Sequence, residues 1–434
     1  MKAPGGVSAL LLMAALPVAA PAAVPDAETT AVRAGRLVDP KGGRVIPGAV
    51  ILIQHGRVQA VGAGLPVPSG AKVIDLSALT VLPGLIDCHT HLVGDYSQTI
   101  DPLSDLKTTA AQRAFESIPN AKKTLEAGFT TVRDVGTYRA FVDVALRDAI
   151  AKGWVEGPRM FVAGSFVTIT GGGGAMTGTA PDITLPWDLK FGVADGPDQV
   201  RQRVRDIAQY GVDLIKVIAT GAFLTHGSNP GAPEYTYEEL RAAVEEAGKK
   251  GLKVAAHAHS TEGIKLAVRA GVASIEHGTF IDDEGIRLMK EHGTYLVADL
   301  YDAEWLRGQS KELVPQDFAD KQPEADEIQR RNFEKAVKAG VKTAFGTDAS
   351  VYPHGLNARQ FAWQVRYGQT PMEAIRSATV SAAELIGREK DFGSLEPGRW
   401  ADLIGVSGDP LQDVRALENV AFVMKEGKVF KDAR

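Results

Sequence analysis

The chain of 434 residues has a single cysteine, Cys88. One thiol excludes an intramolecular disulfide, so stability must come from a buried core and from any bound ions. Charge of one sign is also scarce. The net charge is −5, the pI is near 6.0, and no run of lysine or arginine occurs. That removes the electrostatic basis for binding nucleic acid or an anionic membrane. Long apolar runs are missing too. Residues 10–20 form the one candidate, and they are too few and too alanine-rich for a membrane span. Lys2 precedes that run and Ala20-Pro21-Ala22-Ala23 follows it, which is the order of a secretory signal peptide. The expectation is a leader over residues 1–23, a flexible start over 24–30, and a periplasmic or secreted protein.

What is present is apolar content, 44% of the chain, and enough length for one large catalytic domain plus a small one. Stretches 31–38, 49–53, 57–61 and 72–75 are β-rich and divided by glycine and proline turns. Stretches 401–406, 420–424 and 428–430 match them near the C-terminus, with Glu426-Gly427 as a turn. Both ends therefore predict one small β-sandwich domain, built from residues 24–80 and 396–434. Residues 81–395 between them alternate strand and helix. The strand candidates are 82–87, 130–134, 159–163, 214–218, 253–257, 274–277, 294–298 and 343–346. Helices fall between them, for example 237–250, with Thr236 and Glu239 as a capping box, and 261–270. This pattern predicts an α/β chain with a (β/α)8 TIM barrel, whose chemistry sits where the strands end.

Polar residues stand at those ends. His89 and His91 close the first strand, and residues two apart on a strand share a face. Alone, such a pair is as readily two core or surface histidines as two metal ligands. Cys88 lies between Asp87 and His89 and faces the other way, as a packed core residue. Lys216 sits inside the apolar fourth strand, where an unpaired ammonium is costly. Two readings are open for it: an ion pair with an acid at the barrel mouth, or carboxylation by CO2 to give a carbamate that bridges two metal ions. The fifth strand ends in His257 and His259, the sixth in Glu276 and His277, and the eighth in Asp348. Imidazole and carboxylate suit zinc and similar divalent ions, and their gathering at one rim predicts a metal site. The loop 168–189 holds four glycines in a row, 171–174, without the Lys-Ser/Thr of a phosphate loop. It reads as a lid.

With those residues on view, the chain resembles the metal-dependent amidohydrolase superfamily. The resemblance rests on Pro83-Gly84-Leu85-Ile86-Asp87-Cys88-His89-Thr90-His91, Ile215-Lys216, His257, His277 and Gly346-Thr347-Asp348, and extends to 395–403. It is nearest the exported dipeptidase-like and imidazolonepropionase-related branch, which includes ochratoxin-hydrolysing enzymes. It implies that His89, His91 and Asp348 hold one ion, that His257 and His277 hold another, and that carboxylated Lys216 bridges them. One departure is the sequence 171–175, all glycine and alanine, where many relatives carry a histidine.

Two such ions generate a nucleophile from water near neutral pH and polarise the scissile carbonyl. The resemblance makes Asp348 the base that takes the water proton and the acid that returns it to the leaving nitrogen. The expected substrate is a small amide or peptide: an N-acyl amino acid or a dipeptide with a free C-terminal carboxylate, ochratoxin A included. A cyclic amidohydrolase of the imidazolonepropionase type is the alternative, and a metal-free scaffold a second one. Zinc is the first choice of metal; manganese and cobalt also fit. His259, His226 and His354 are candidate substrate contacts, with Tyr96, Tyr301 and Arg359 as weaker ones. No nucleic acid or membrane partner is expected. The resemblance implies a homo-oligomer, up to an octamer.

Overall fold

The computed structural model describes residues 1, 29–101, 103–309 and 324–434. The expected leader, apart from Met1, lies outside the described residues. The strands are β1 (Thr30–Asp39), β2 (Arg44–Pro47), β3 (Ala49–Gln54), β4 (Arg57–Ala63), β5 (Lys72–Pro83), β6 (Leu85–Thr90), β7 (Phe129–Asp134) and β8 (Arg159–Val162). They continue with β9 (Phe166–Val167), β10 (Leu214–Ile218), β11 (Lys253–Ala258), β12 (Ser274–His277), β13 (Tyr295–Val297), β14 (Leu403–Val406), β15 (Val420–Lys425) and β16 (Lys428–Asp432).

Both ends of the chain share one eight-stranded sheet, ordered β16-β15-β14-β5-β1-β3-β4 with β2 beside β1. The sheet bends where the β1–β5 register shifts between Ala34 and Arg36. Gly35 occupies that bend, and a Cβ there would lie 2.2 Å from the Ser77 carbonyl oxygen, so only glycine fits. The folded sheet encloses an apolar core that includes Val32, Ile51, Leu76, Leu403, Phe422 and Met424. A bridge between Arg57 and Trp400 ties its N- and C-terminal parts together.

The rest is a TIM barrel. β6, β7 and β8 pair in parallel, and so do β9 to β13. β8 and β9 are two halves of the third strand, broken at residues 163–165. The Asp213 amide donates to the Val162 carbonyl at 2.8 Å across that seam. The expected eighth strand, 343–346, makes only scattered bonds, yet it closes the ring. Ala344 N–H donates to Leu296 O at 3.1 Å on one side, and Cys88 N–H donates to Phe345 O at 2.8 Å on the other.

The first barrel strand starts at Leu85, not at residue 82. Val81 and Leu82 pair with Gly405 and Ile404 and belong to the small sheet. The unbroken apolar run hides this joint. Gly84 marks it, because a Cβ there would meet Thr130 Oγ1 at 2.2 Å. The helix Tyr237–Gly248 carries the expected capping box between Thr236 and Glu239. It buries Leu240, Ala243 and Ala247 in the core that also holds Ile215, Val217 and Ala256. Emptying such a position, as in Leu240→Ala, costs about 2–5 kcal/mol. Among the described residues, no helix is long and apolar enough to cross a membrane.

Candidate metal centre

Strand register assembles the rim. β10 and β11 set Lys216 beside Ala255 and Ile218 beside His257. β11 and β12 set Ala258 beside His277. His277 and Asp348 have φ of +69° and +54°, so both leave the strand direction in a left-handed turn. That conformation costs about 1–2 kcal/mol for a residue with a Cβ. The resulting turns bring the His277 and Asp348 side chains to the rim, and the Gly278 amide folds back onto Glu276 O at 2.9 Å.

Hydrogen bonds decide which imidazole nitrogen is free. His91 Nδ1 lies 2.7 Å from the Gly136 carbonyl oxygen, which can only accept. Its proton is therefore on Nδ1, and Nε2 keeps its lone pair. His277 Nδ1 donates to Asp299 Oδ2 at 2.8 Å, which again leaves Nε2 bare. His257 presents Nε2 to Gly221 O at 3.3 Å, which leaves Nδ1. His89 Nδ1 stands 3.1 Å from Glu276 Oε2 without the geometry of a hydrogen bond, so no bond fixes which of its nitrogens is bare. Burial opposes the charge on Glu276, but the Arg133 guanidinium at 2.8 Å outweighs it and holds the carboxyl below the usual carboxylate range. Three imidazoles, His91, His257 and His277, thus offer one unprotonated nitrogen each, with the other nitrogen tied down, the pattern of metal-ligating histidines.

The ring nitrogens converge. Nε2 of His89 and of His91 lie 3.4 and 3.2 Å from Asp348 Oδ1. Three acceptors that close need a cation or a proton between them. Without a metal, His89 takes the proton: burial and Lys216 lower its pKa, but Asp348 and Glu276 outweigh them and raise it to about 9. Asp348 is held well below the carboxylate range; burial opposes this, and the His89 and His91 rings prevail. A second group, His257, His259 and His277, brings its donor atoms within 4.8 Å of one another, and His277, Asp299 and Asp348 form a third. The donor set fits divalent metal.

Lys216 is 2% exposed and its ammonium makes no hydrogen bond or ion pair among the described residues. Among the described residues, no acid lies within ion-pair distance of it, although Glu276 and Asp348 act on it from farther away. Burial lowers its pKa to about 8, against the pull of Glu276 and Asp348. Its charge acts on His89 in one group and on His257 in the other.

A cleft with about 1160 Å³ of empty space opens over these groups. Its walls include Tyr138, Phe166, Phe223, Leu224 and Val351. His259 lines it, with Nδ1 2.8 Å from Thr279 Oγ1 and its ring stacked on His277. His226 and His354 are not brought to its wall. His226 is exposed, and His354 is buried with Nε2 donating to Gly94 O at 2.8 Å. Tyr96, Tyr301 and Arg359 also stay outside the lining; Arg359 Nη1 donates to the Tyr301 hydroxyl at 2.8 Å. Cys88 is buried in the core with Ile86 and Val297, and burial pushes its thiol up to about 12. The glycine loop packs onto the cleft. Gly173 N–H donates to the Glu234 carboxylate at 2.9 Å, and Gly173 and Gly174 line the cavity. Sequence reasoning missed Asp299, Asp302, Arg133 and Gln329. Asp299 directly follows the seventh predicted strand, so the strand-end rule could have found it. Gln329 lies on a helix and carries no local signal.

A barrel rim with this donor set defines a class, the metal-capable hydrolase. Residues 80–430 match the amidohydrolase family. Ochratoxinase from Aspergillus niger is 32% identical over 433 residues, covering 94% of this chain and 88% of that protein. A crystal structure of a Xaa-Pro dipeptidase with methionine bound in the active site superposes with a TM-score of 0.88. It is 37% identical and covers 93% of this chain and 100% of its own. Imidazolonepropionase from Idiomarina loihiensis is 26% identical over 405 residues, covering 86% of this chain and 89% of that enzyme. The chain belongs to the amidohydrolase family. It is a hydrolytic enzyme acting on amide bonds.

Proposed function

We propose that the chain is a binuclear metal-dependent amide hydrolase. Its substrates are N-acyl amino acids or dipeptides with a free C-terminal carboxylate, and ochratoxin A, cleaved to ochratoxin α and phenylalanine, is one of them. The observation that carries this reading is Lys216, buried, without a hydrogen bond or ion pair among the described residues, and lining the same cleft as the two groups of ligand atoms. Its lowered pKa, set by burial, leaves a neutral amine available at mildly basic pH, the form that reacts with CO2. Carboxylated Lys216 would offer its oxygens to both ions. His89, His91 and Asp348 would hold one ion and His257 and His277 the other, with zinc the first choice for mixed nitrogen and oxygen donors.

When bound, the ions supply water activation and carbonyl polarisation. The chain supplies the rest. Asp348, ionised in this setting, takes the proton of the attacking water at its carboxylate and passes it to the leaving nitrogen. Phe166, Phe223 and Leu224 exclude water and accept an apolar or aromatic side chain such as that of phenylalanine. Tyr138 and His259 are donors able to meet the substrate carboxylate. The ochratoxinase and Xaa-Pro dipeptidase relatives support this class. The imidazolonepropionase relatives favour ring opening as the second reading. A hydrolysis screen of dipeptides, N-acyl amino acids, ochratoxin A and imidazolone rings separates the two, and turnover of rings alone removes the first.

Export to the periplasm or beyond, after loss of residues 1–23, and a homo-oligomeric state belong to the same proposal. N-terminal sequencing of the secreted chain and light scattering test them.

A further inference from the structure

We infer that Asp302 is a recognition site for the α-ammonium group of the substrate, which makes free dipeptides and amino acid amides preferred over N-acylated compounds. The inference rests on the hydrolase reading above and narrows it. Four aspartates line the cleft: Asp105, Asp299, Asp302 and Asp348. Three are committed. Asp105 accepts from Arg113 Nε at 2.8 Å and from Gln98 Nε2 at 2.6 Å. Asp299 accepts from His277 and from Gln329 Nε2 at 3.1 Å. Asp348 faces His89 and His91. Asp302 Oδ1 is shielded from solvent and has no hydrogen-bond partner among the described residues, and the one hydrogen-bond donor acting on its carboxyl is the Ala303 backbone amide.

Among the described residues, no lysine or arginine is recorded paired with it. Lys216 is the one lysine or arginine lining the cleft among the described residues, and it stands among the ligand groups. The cations nearest in the chain are engaged elsewhere: Arg307 pairs with Asp326 at 2.6 Å, and Arg330 lies over the Trp363 ring with Nη2 on Leu300 O at 3.1 Å. Burial and the neighbouring acids Asp299, Asp348 and Asp326 all act to push the Asp302 carboxyl well above its usual range. These surroundings favour the neutral carboxyl, and a ligand that brings a positive charge would favour the carboxylate. Position agrees with this. The α-ammonium of an aminoacyl group is one carbon from the scissile carbonyl, so it must lie on the wall next to the reacting atoms. Asp302 is three residues beyond Asp299, at the start of the helix Asp302–Arg307 that follows β13.

Zinc-loaded wild type and Asp302→Asn are compared on Ala-Phe and N-acetyl-Ala-Phe, which present the same scissile bond with and without the ammonium. A charge-assisted hydrogen bond predicts a loss of about 10- to 100-fold in kcat/KM for Ala-Phe in the variant. The value for N-acetyl-Ala-Phe should hardly move. Equal losses on both substrates, or an unchanged value for Ala-Phe, overturn the inference. Metal content and urea midpoint are read on both proteins, and loss of metal from the variant also overturns it, because Asp302 would then belong to the metal site. If wild type cleaves neither compound, the hydrolase reading fails separately. Calorimetric titration with phenylalaninamide and its N-acetyl derivative then reads the ammonium alone. Tighter binding of the free amine, lost in Asp302→Asn, upholds the site; equal binding of both ligands removes it.

Discussion

Replacing Asp299 by alanine should weaken metal binding while leaving most of the fold in place. Asp299 is 3% exposed and holds two groups at once. Oδ2 accepts from His277 Nδ1 at 2.8 Å, and Oδ1 accepts from Gln329 Nε2 at 3.1 Å. The first bond fixes the tautomer that leaves His277 Nε2 bare, and it fixes the ring plane. Without it the imidazole can turn or move its proton to the ligating nitrogen. Loss of such a partner costs about 10–100-fold in metal affinity, or about 1.4–2.7 kcal/mol. The Gln329 amide keeps its other acceptor, His277 O at 3.2 Å, so the stability loss stays near the low end of about 1–3 kcal/mol. Competition against a chromogenic chelator gives the affinity, and urea unfolding of the metal-free protein gives the stability. Asp299→Asn keeps the shape and one acceptor and should fall between wild type and alanine. Unchanged affinity in Asp299→Ala refutes the reasoning. So does an affinity loss fully matched by loss of fold.

Lys216→Ala should lose most activity, and added short carboxylic acids should restore part of it by standing in for the carbamate; full activity of the untreated variant counts against the bridge. His354 offers a pH test. Burial lowers its pKa from 6.5 to about 4, against the hydrogen bond to Gly94. Its contribution to stability is therefore complete above pH 6.5 and is lost as pH falls toward 4, an amount of about 3 kcal/mol. The urea midpoint of His354→Gln should fall less steeply over that window than that of wild type, and parallel curves would show the ring is not buried neutral. Gly174→Ala should destabilise by about 1–3 kcal/mol through overpacking, because the added Cβ would lie 2.6 Å from Ile218 Cγ1. It should also raise KM, since that loop lines the cleft; wild-type values for both would contradict the packing described.

Much of this architecture is legible where local pattern and tertiary demand agree. β10 and β12 fall on the predicted 214–218 and 274–277, because each is a short buried run with a polar turn after it. The gathering of His89, His91, His257, His277 and Asp348 at one rim was legible for the same reason, as polar side chains where apolar strands stop. The joint at Gly84 was not, since apolar residues run through it from one sheet into the next. The eighth strand was legible as a segment but not as irregular backbone, which follows from the left-handed turn at Asp348. His226 and His354 were chosen from loop position alone. Loop position does not fix direction, and Gly94 holds the His354 ring. Gln329 acts through neighbours distant in sequence, and no period or spacing announces it or Asp302.

Metal analysis of the purified protein tests the central claim most directly. The account expects two divalent ions per chain in wild type and a clear shortfall in Lys216→Ala. Full amide hydrolysis by wild type after exhaustive chelation, with no metal left in the protein, would contradict it.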